Sequence, residues 1–256
     1  MSTQSTPPTR ADAPWAELIP ADQWNVFQAG RAAAERAQVP FLLGGAMALA
    51  AFTGRWRNTK DIDFIVHAED HQRLIDALLA DGFRDYFSQQ EYDRGWIFRA
   101  VRDDVVLDII WKLPNHRVSV DQAWFDCAWP VRLRGTEYRA IPLEELIRVK
   151  LYVMQRERCD WVDVINALAG SVEQVKWDYL IARMGRDLPL LQAVLCVFSW
   201  LAPARAAAIP ATIRERFRLP LIATDEPHAV EERRVALFDS RPWYAPFQPI
   251  DRPLER

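Results

Sequence analysis

Three aspartates lie in apolar stretches where a lone carboxylate would be costly. Asp61 and Asp63 are separated by one residue in the sequence DIDFIVH, and Asp108 is the only charged residue in VVLDIIW. Burying a carboxylate without a partner is unfavourable, and burying two close together is worse because like charges repel. The pattern therefore indicates that a cation holds these side chains together.

The spacing of the first two aspartates places them on one face of a strand. Residues two apart on a strand point to the same side, about 7 Å apart along the chain, so Ile62 and Phe64 turn the other way, towards a core. Carboxylate oxygens suit Mg²⁺, which keeps coordination positions for phosphate oxygens. If the strand of Asp108 lies beside that of Asp61 and Asp63, the three can hold two metal ions about 4 Å apart, an arrangement used for in-line phosphoryl displacement.

The simplest interpretation of an Asp-x-Asp sequence is a turn, an edge strand or a solvated face, but the flanking elements favour chemistry. In order, they are a short apolar strand at 41–43, the pair Gly44 and Gly45, a helix over 46–52, and a basic connector over 55–60. The glycines let the backbone approach phosphates closely, and the start of the helix adds its positive end.

The rest of the sequence predicts a mixed α/β core. Periodicity and turn residues predict helices over 22–37 and 70–80, a hairpin of strands 95–101 and 105–111 joined by Arg102-Asp103-Asp104, and a short strand at 138–141. We expect the α/β (α+β) fold class, with a small mixed sheet and flanking helices.

From residue 143 onward the pattern becomes helical. It predicts one long helix or two abutting helices to 168, a new helix from a capping box of Ser171 and Gln174, a helix over 188–201 and a short one near 211–218. The predicted division is a flexible tail over 1–15, a core over 16–142, a helical region over 143–205 and a proline-rich extended arm over 206–256.

Composition and charge argue against several classes of protein and site. The formal net charge of −3 over 256 residues provides no global basic field for nucleic acid, although a local basic patch stays open. The three cysteines form no Cys-x-x-Cys pair, which argues against structural zinc and a disulfide framework. The first residues lack the apolar core of a secretion signal, and the apolar stretch at 188–202 is too short to span a bilayer, so we expect a cytoplasmic protein.

Two motifs resemble those of a known superfamily. The glycine pair and its helix, followed by G-x-x-R-x-T-K-D-I-D-F, resemble the signature of the nucleotidyltransferase superfamily that includes DNA polymerase beta. The residues are Gly44, Gly45, Met47–Ala48, Gly54, Arg57, Thr59, Lys60, Asp61, Ile62, Asp63 and Phe64. A later motif is similar to one in bacterial stand-alone nucleotidyltransferase-like proteins: Lys150, Val153, Met154, Arg156, Arg158, Asp160, Asp163 and Val164. The fifteen residues between Gly45 and Asp61 slightly exceed the usual spacing.

The resemblance covers about residues 41–168 and implies a polymerase-beta-like core. It implies Mg²⁺-dependent transfer of a nucleoside monophosphate from an NTP such as ATP to an acceptor hydroxyl or phosphate, with release of pyrophosphate. Asp61 and Asp63 would hold Mg²⁺ on the triphosphate, and Asp108 would bind a second ion or act as general base. The residues implied in nucleotide binding are Gly44, Gly45, Arg57, Thr59, Lys60 and Lys150.

The role of Lys150 has alternatives. On a continuous helix it falls within an apolar stripe that also contains Glu157, so it can snorkel to solvent, pair with Glu157 or meet a ligand. The resemblance favours a triphosphate contact, while Asp160 and Asp163 are expected to be structural. Trp56, between two arginines, can stack on a base or pack on a neighbour.

Two other functions stay open. A superfamily member can bind nucleotide without turnover, for instance as a partner in a toxin–antitoxin pair, and intact carboxylates argue against this. An antibiotic nucleotidyltransferase would need an acidic acceptor cleft for a cationic drug, which Glu157, Asp160 and Asp163 could supply.

The sequence leaves the partners of the protein open. The acceptor can be a small molecule, a protein or RNA, and no membrane partner is expected. An oligomer is compatible with the Trp/Pro-rich tail RPWYAPFQP.

Overall fold

The computed structural model describes residues 11–57, 59, 61–88, 92–220 and 234. The chain divides into two compact units, Met1–Pro142 and Leu143–Arg256. The first unit contains all seven of the strands that the structure describes, and the second is built from helices over its described residues.

A seven-stranded mixed sheet forms the centre of the first unit. Its strands are β1 (Leu42–Leu43), β2 (Asp61–Ile65), β3 (Arg84–Asp85), β4 (Ile97–Arg102), β5 (Val105–Ile110), β6 (Trp129–Leu133) and β7 (Thr136–Ala140). Their order in the sheet is β3-β4-β5-β2-β1-β7-β6. The pairs β2/β5 and β1/β7 are parallel and the other neighbours are antiparallel. The mixed sheet with flanking helices confirms the predicted fold class.

Four helices accompany the sheet, and one of them covers the apolar face of β2 and β5. The helices are α1 (Ala21–Arg36), α2 (Gly45–Thr53), α3 (His71–Ala80) and α4 (Gln122–Asp126). The ring of Phe27 on α1 meets that of Phe64 edge to face at 5.7 Å. Burying each of these side chains contributes about 1.5–3 kcal/mol. Gly30 permits this close approach, because a Cβ there would lie 2.6 Å from Leu107 Cδ2.

The two hairpins end in tight turns. Asp103 and Asp104 have φ of 51° and 61° between β4 and β5, which is the geometry of a two-residue hairpin loop. The predicted hairpin is therefore present, with a loop one residue shorter than expected. The second hairpin, β6–β7, contains a strand that the sequence did not predict. The strand contains Pro130, which is tolerated because β6 lies at the sheet edge.

The end of the predicted flexible tail over 1–15 has regular structure. A 3-10 helix spans Pro14–Leu18, and the buried Trp15 ring stacks on Trp56 with centroids 5.8 Å apart. Apolar contact between two large rings accounts for this order. Trp56 is thus packed on a neighbour in the structure, and residues 1–10 lie outside the described part of the chain.

The second unit contains six α-helices and two short 3-10 helices, Val172–Gln174 and Gly185–Asp187, within the residues described. The α-helices are α5 (Leu143–Leu151), α6 (Trp161–Ser171), α7 (Trp177–Met184), α8 (Leu188–Leu201), α9 (Pro203–Ala206) and α10 (Ala211–Phe217). The capping box predicted at Ser171 is wrong: α6 continues through Gly170 and Ser171, and Ser171 makes no side-chain cap hydrogen bond. Burial of Leu168 and Val172 outweighs the low helix propensity of glycine there.

The short helix predicted near 211–218 is present as α10. Of the predicted extended arm over 206–256, the stretches 221–233 and 235–256 lie outside the described residues. In the part of the chain that the structure describes, no helix has the length and apolar character needed to cross a membrane.

Candidate active site

The register of two neighbouring strands places the three aspartates on one face of the sheet. Asp63 of β2 is the partner of Asp108 of β5, and Asp61 precedes Asp63 by two residues. Side chains in register on adjacent strands share a face, so all three carboxylates point away from the face that α1 covers. Asp108 is almost completely buried, whereas the Asp61 side chain is 39% exposed.

An arginine that sequence reasoning missed lies among these carboxylates. Arg99 of β4 is the strand partner of Asp108 on its other side. Its Nε donates to Asp108 Oδ1 at 2.7 Å and its Nη2 to Asp108 Oδ2 at 2.6 Å. The same Nη2 lies 3.7 Å from Asp61 Oδ2. Arg99 thus binds Asp108 in the strong bidentate geometry and extends towards Asp61.

Aromatic rings support the guanidinium of Arg99. Its Cζ lies 5.8 Å from the ring centroids of both Tyr86 and Phe87. The backbone N–H of Tyr86 donates to the carbonyl oxygen of Arg99 at 2.9 Å. Cation–π attraction and this backbone bond both hold the arginine at Asp108.

Burial and ion pairing shift the pKa values of Asp108 and Arg99 in opposite directions. Burial raises the pKa of the Asp108 carboxyl, while the hydrogen bonds and charge of Arg99 act to lower it and the nearby Asp61 acts to raise it. The hydrogen bond to Asp108 raises the pKa of Arg99, and burial opposes that change. The guanidinium therefore stays charged, and Asp108 depends on it for compensation in a poorly solvated position.

The glycine pair brings the start of α2 against Asp63. The N–H of Gly44 donates to the backbone oxygen of Asp63 at 3.0 Å. Gly45, the first residue of α2, has φ of +47°, and a Cβ on it would lie 1.7 Å from Asp63 Oδ2. Only glycine fits both the positive φ and this close approach. The positive end of the helix dipole thus lies beside the Asp63 carboxylate.

The other residues predicted at the site lie in the connector before β2. The Thr59 hydroxyl donates to Asp61 Oδ1 at 2.6 Å, so it orients that carboxylate. Gln23 of α1 donates in turn to the Thr59 backbone oxygen at 2.5 Å. Arg57 is exposed in the same connector. Lys60 lies outside the described residues.

Lys150 lies in the second unit and has two carboxylate partners of its own. Its Nζ donates to Asp163 Oδ2 at 2.6 Å and to Asp160 Oδ2 at 3.0 Å, and all three side chains are buried. Arg158 adds two bonds to Asp160, each of 2.9 Å. The partner of Lys150 is therefore not Glu157. The helix α5 ends at Leu151, and the turn over 152–160 brings Asp160 and Asp163 beside Lys150. A nucleotide contact by Lys150 stays a prediction.

The donor chemistry of Asp61 and Asp63 suits a divalent cation. Among the described residues, no group of three or more His, Cys, Asp or Glu side chains has an arrangement that could hold a metal ion. Both oxygens of Asp108 accept hydrogen bonds from Arg99. Asp61 and Asp63 place hard oxygens on the same face of the sheet, and Mg²⁺ is commonly bound by one or two carboxylates together with substrate phosphates.

Comparison with known proteins gives one match to a family. A family model described as uncharacterised nucleotidyltransferase matches residues 29–202, about two thirds of the chain. Comparison with curated proteins finds none that matches.

Solved structures of low sequence identity show partial likeness. The antibiotic-resistance factor ANT(2'')-Ia is 21% identical, with a TM-score of 0.47 over 67% of this chain and 95% of that chain. The lincosamide antibiotic adenylyltransferase LnuA, bound to lincomycin, is 18% identical, with a TM-score of 0.42 over 57% and 94%. JHP933 from Helicobacter pylori is 18% identical, with a TM-score of 0.39 over 89% and 90%.

Proposed function

The chain belongs to the family of uncharacterised nucleotidyltransferases, and from this premise we propose a Mg²⁺-dependent transfer of a nucleoside monophosphate from an NTP. An acceptor hydroxyl or phosphate oxygen forms a bond to the α-phosphorus. The bond from that phosphorus to the β-phosphate bridging oxygen breaks, and pyrophosphate leaves. The observation that carries this proposal is the placement of Asp61 and Asp63 on one sheet face, beside the first turn of α2.

Each part of the site has a task that its chemistry supports. Asp61 and Asp63 would hold Mg²⁺, which when bound supplies a Lewis acid for the phosphate oxygens. Thr59 fixes one oxygen of Asp61, so the other oxygen keeps a defined direction. The N–H groups and the positive dipole end at the start of α2 suit an anionic phosphate. Because Gly45 has no side chain, the Asp63 carboxylate can lie against the start of α2, and a phosphate can come close to the backbone there.

Asp108 acts through Arg99 in this geometry. Both of its oxygens accept hydrogen bonds from the guanidinium, which sets the position of a positive charge at the site. Preorganised charge of this kind stabilises the negative charge of a transferring phosphoryl group. The roles of Asp108 as a second metal ligand or as general base stay predictions.

A thermal-shift screen of the four NTPs, with and without Mg²⁺, tests the proposal. We expect one or more NTPs to raise the melting temperature only when Mg²⁺ is present. Asp61→Ala and Asp63→Ala should abolish that rise, whereas Glu69→Ala, an exposed acid outside the site, should preserve it. An unchanged rise in both aspartate variants would contradict the proposed site.

Transfer itself needs a second measurement. The best NTP, labelled at the α-phosphate, is incubated with the protein and fractions of a cell extract, and labelled acceptor and pyrophosphate are quantified. Mg²⁺-dependent label on an acceptor supports transfer. Binding of NTP without any labelled product would instead favour the non-catalytic partner protein.

A further inference from the structure

Arg99 occupies the space between two of the three carboxylates. Its Nη2 lies 2.6 Å from Asp108 Oδ2 and 3.7 Å from Asp61 Oδ2. A cation shared by Asp108 and Asp61 would have to stand where this guanidinium group stands. The positive charge at that point is therefore supplied by the chain itself.

The arginine is built into the sheet rather than attached at its surface. The hairpin register pairs Arg99 with Asp108, and the bidentate bonds use both carboxylate oxygens. The rings of Tyr86 and Phe87 flank the guanidinium. Because Asp108 is buried, displacing Arg99 would leave a desolvated carboxylate without its partner.

Electrostatic repulsion also disfavours a metal ion beside Asp108. Arg99 already places a positive charge between the carboxylates of Asp108 and Asp61. A second divalent cation would have to compete with a guanidinium group already held by two hydrogen bonds and two rings.

We propose that Arg99 replaces the second metal ion, so that the site binds a single divalent cation at Asp61 and Asp63. The inference rests on the proposed function, since it concerns the ion that accompanies the NTP. Asp108 is then a positioning residue that holds Arg99, and Arg99 supplies the second positive charge without depending on the concentration of free metal.

Counting bound Mn²⁺ tests the inference directly. The full chain is titrated with Mn²⁺ in the presence of a saturating NTP analogue that cannot be cleaved between the α- and β-phosphates, and bound ions are counted by electron paramagnetic resonance. We expect one ion per chain in the wild type. Arg99→Met removes the charge and frees Asp108, so this variant should bind two ions with spin coupling typical of a separation of about 4 Å.

Three further variants serve as controls. Arg99→Lys retains a positive charge and should bind one ion. The double variant Arg99→Met with Asp108→Asn lacks the freed carboxylate and should also bind one. Arg94→Met removes an exposed arginine that pairs with Asp85, and its count should equal that of the wild type.

Each outcome has a distinct meaning. Two ions in the wild type, or one ion in a folded Arg99→Met variant, would overturn the inference and leave the proposed function intact. Failure of the wild type to bind both Mn²⁺ and the analogue would overturn the proposed function itself, and the inference with it. If Arg99→Met does not fold, the wild-type count together with Arg99→Lys decides the question.

Discussion

Two clusters among the described residues place a cation between carboxylates, and they differ in exposure to solvent. In the second unit, Lys150 and Arg158 face Asp160 and Asp163, so two positive charges meet two negative ones. The side chains of Lys150, Asp160 and Asp163 are each at most 10% exposed. Such a cluster is complete without a ligand.

The cluster on the sheet is more accessible. Asp61, Asp63 and Asp108 lie on one sheet face, Arg99 pairs with Asp108 and approaches Asp61, and the Asp61 side chain is 39% exposed. Because carboxylates close together repel one another, a cation added at such a position stabilises the group. Accessibility of neighbouring carboxylates, more than burial of charge, distinguishes a candidate site from a structural ion pair.

The largest effect is expected from removing a charge of the cluster on the sheet. Asp63→Asn keeps the shape of the side chain but weakens metal binding, and transfer should fall by about 10³-fold or more. The free energy of unfolding should change by less than transfer does, because the variant relieves repulsion from Asp61 and Asp108 and also loses the attraction of the α2 dipole. Rates of labelled-NTP transfer and urea unfolding measure the two quantities. A variant that lost stability and kept its activity would reverse the roles of the two clusters.

Removing the central cation of the balanced cluster should mainly affect stability. Lys150→Met leaves the buried Asp163 without its ammonium partner, and breaking a buried pair in this way costs about 3–5 kcal/mol. Urea unfolding measures the loss, and Lys176→Met, at an exposed lysine of the same unit, is the matched control.

The same variant also tests the nucleotide contact predicted for Lys150. Where Lys150→Met remains folded, its Kd for Mg²⁺–NTP should equal that of the wild type if the lysine only holds the two aspartates. A Kd raised at least tenfold with normal stability would show instead that Lys150 binds the triphosphate.

An intermediate effect is expected from the glycine beside Asp63. In Gly45→Ala the new Cβ would meet Asp63 Oδ2, so the carboxylate or the start of α2 must shift, and a misplacement of about 1 Å can lower a rate by about 10²-fold. Gly54→Ala is a matched control, since Gly54 also has a positive φ, of +67°, but has open space around it. Both variants should lose about 1–2 kcal/mol of stability from the left-handed backbone, and only Gly45→Ala should lose activity. Equal transfer rates in the two would show that the approach of Gly45 to Asp63 is unimportant.

The fold of the sheet could be predicted because strand periodicity is rigid. Once residues 61–65 are taken as a strand, a period of two forces Asp61 and Asp63 to one face and Phe64 to the other. That β5 lies beside β2 was only a condition of the sequence argument, and the structure fulfils it by pairing Asp63 with Asp108. Whether Asp61, Asp63 and Asp108 act as predicted stays a matter for the variants above.

Arg99 was missed because of a single residue in a loop. A loop counted as Arg102-Asp103-Asp104 would pair Asp108 with Phe98, whereas the observed two-residue loop pairs it with Arg99. A shift of one residue changes the face on which every side chain of a strand lies. The sequence did contain a signal, since Arg99 is a lone charge within IFRAV, as Asp108 is within VVLDIIW.

The partners of Lys150 could not be obtained from helical spacing. Residues 152–160 contain neither glycine nor proline, so nothing in their composition marks the end of α5. The chain nevertheless leaves the helix there and forms an isolated bridge between Met154 and Cys159. Backbone hydrogen bonds from Gln155 to Arg158 and from Asp160 to Val153 close the turn. The turn brings Asp160 and Asp163 to Lys150, which a continuous helix would have aligned with Glu157.

The smallest expected effect is the loss of stability at acid pH that depends on Asp160. Burial alone would raise the pKa of Asp160, but hydrogen bonds and charge from Arg158 and Lys150 outweigh it and hold the pKa of that carboxyl below its usual value. A carboxyl with a lowered folded-state pKa stabilises the protein fully above its unfolded pKa of about 3.9, and the contribution is lost as pH falls through the folded value. The difference in unfolding free energy between the wild type and Asp160→Asn should therefore be constant from pH 7 to about pH 5 and shrink below about pH 4.

Urea unfolding at a series of pH values measures this difference, with Asp178→Asn as an exposed control in the same unit. A difference that stayed the same at acid pH would mean that Asp160 is not held in its charged form by the lysine and the arginine, and the balanced cluster would lose its electrostatic basis.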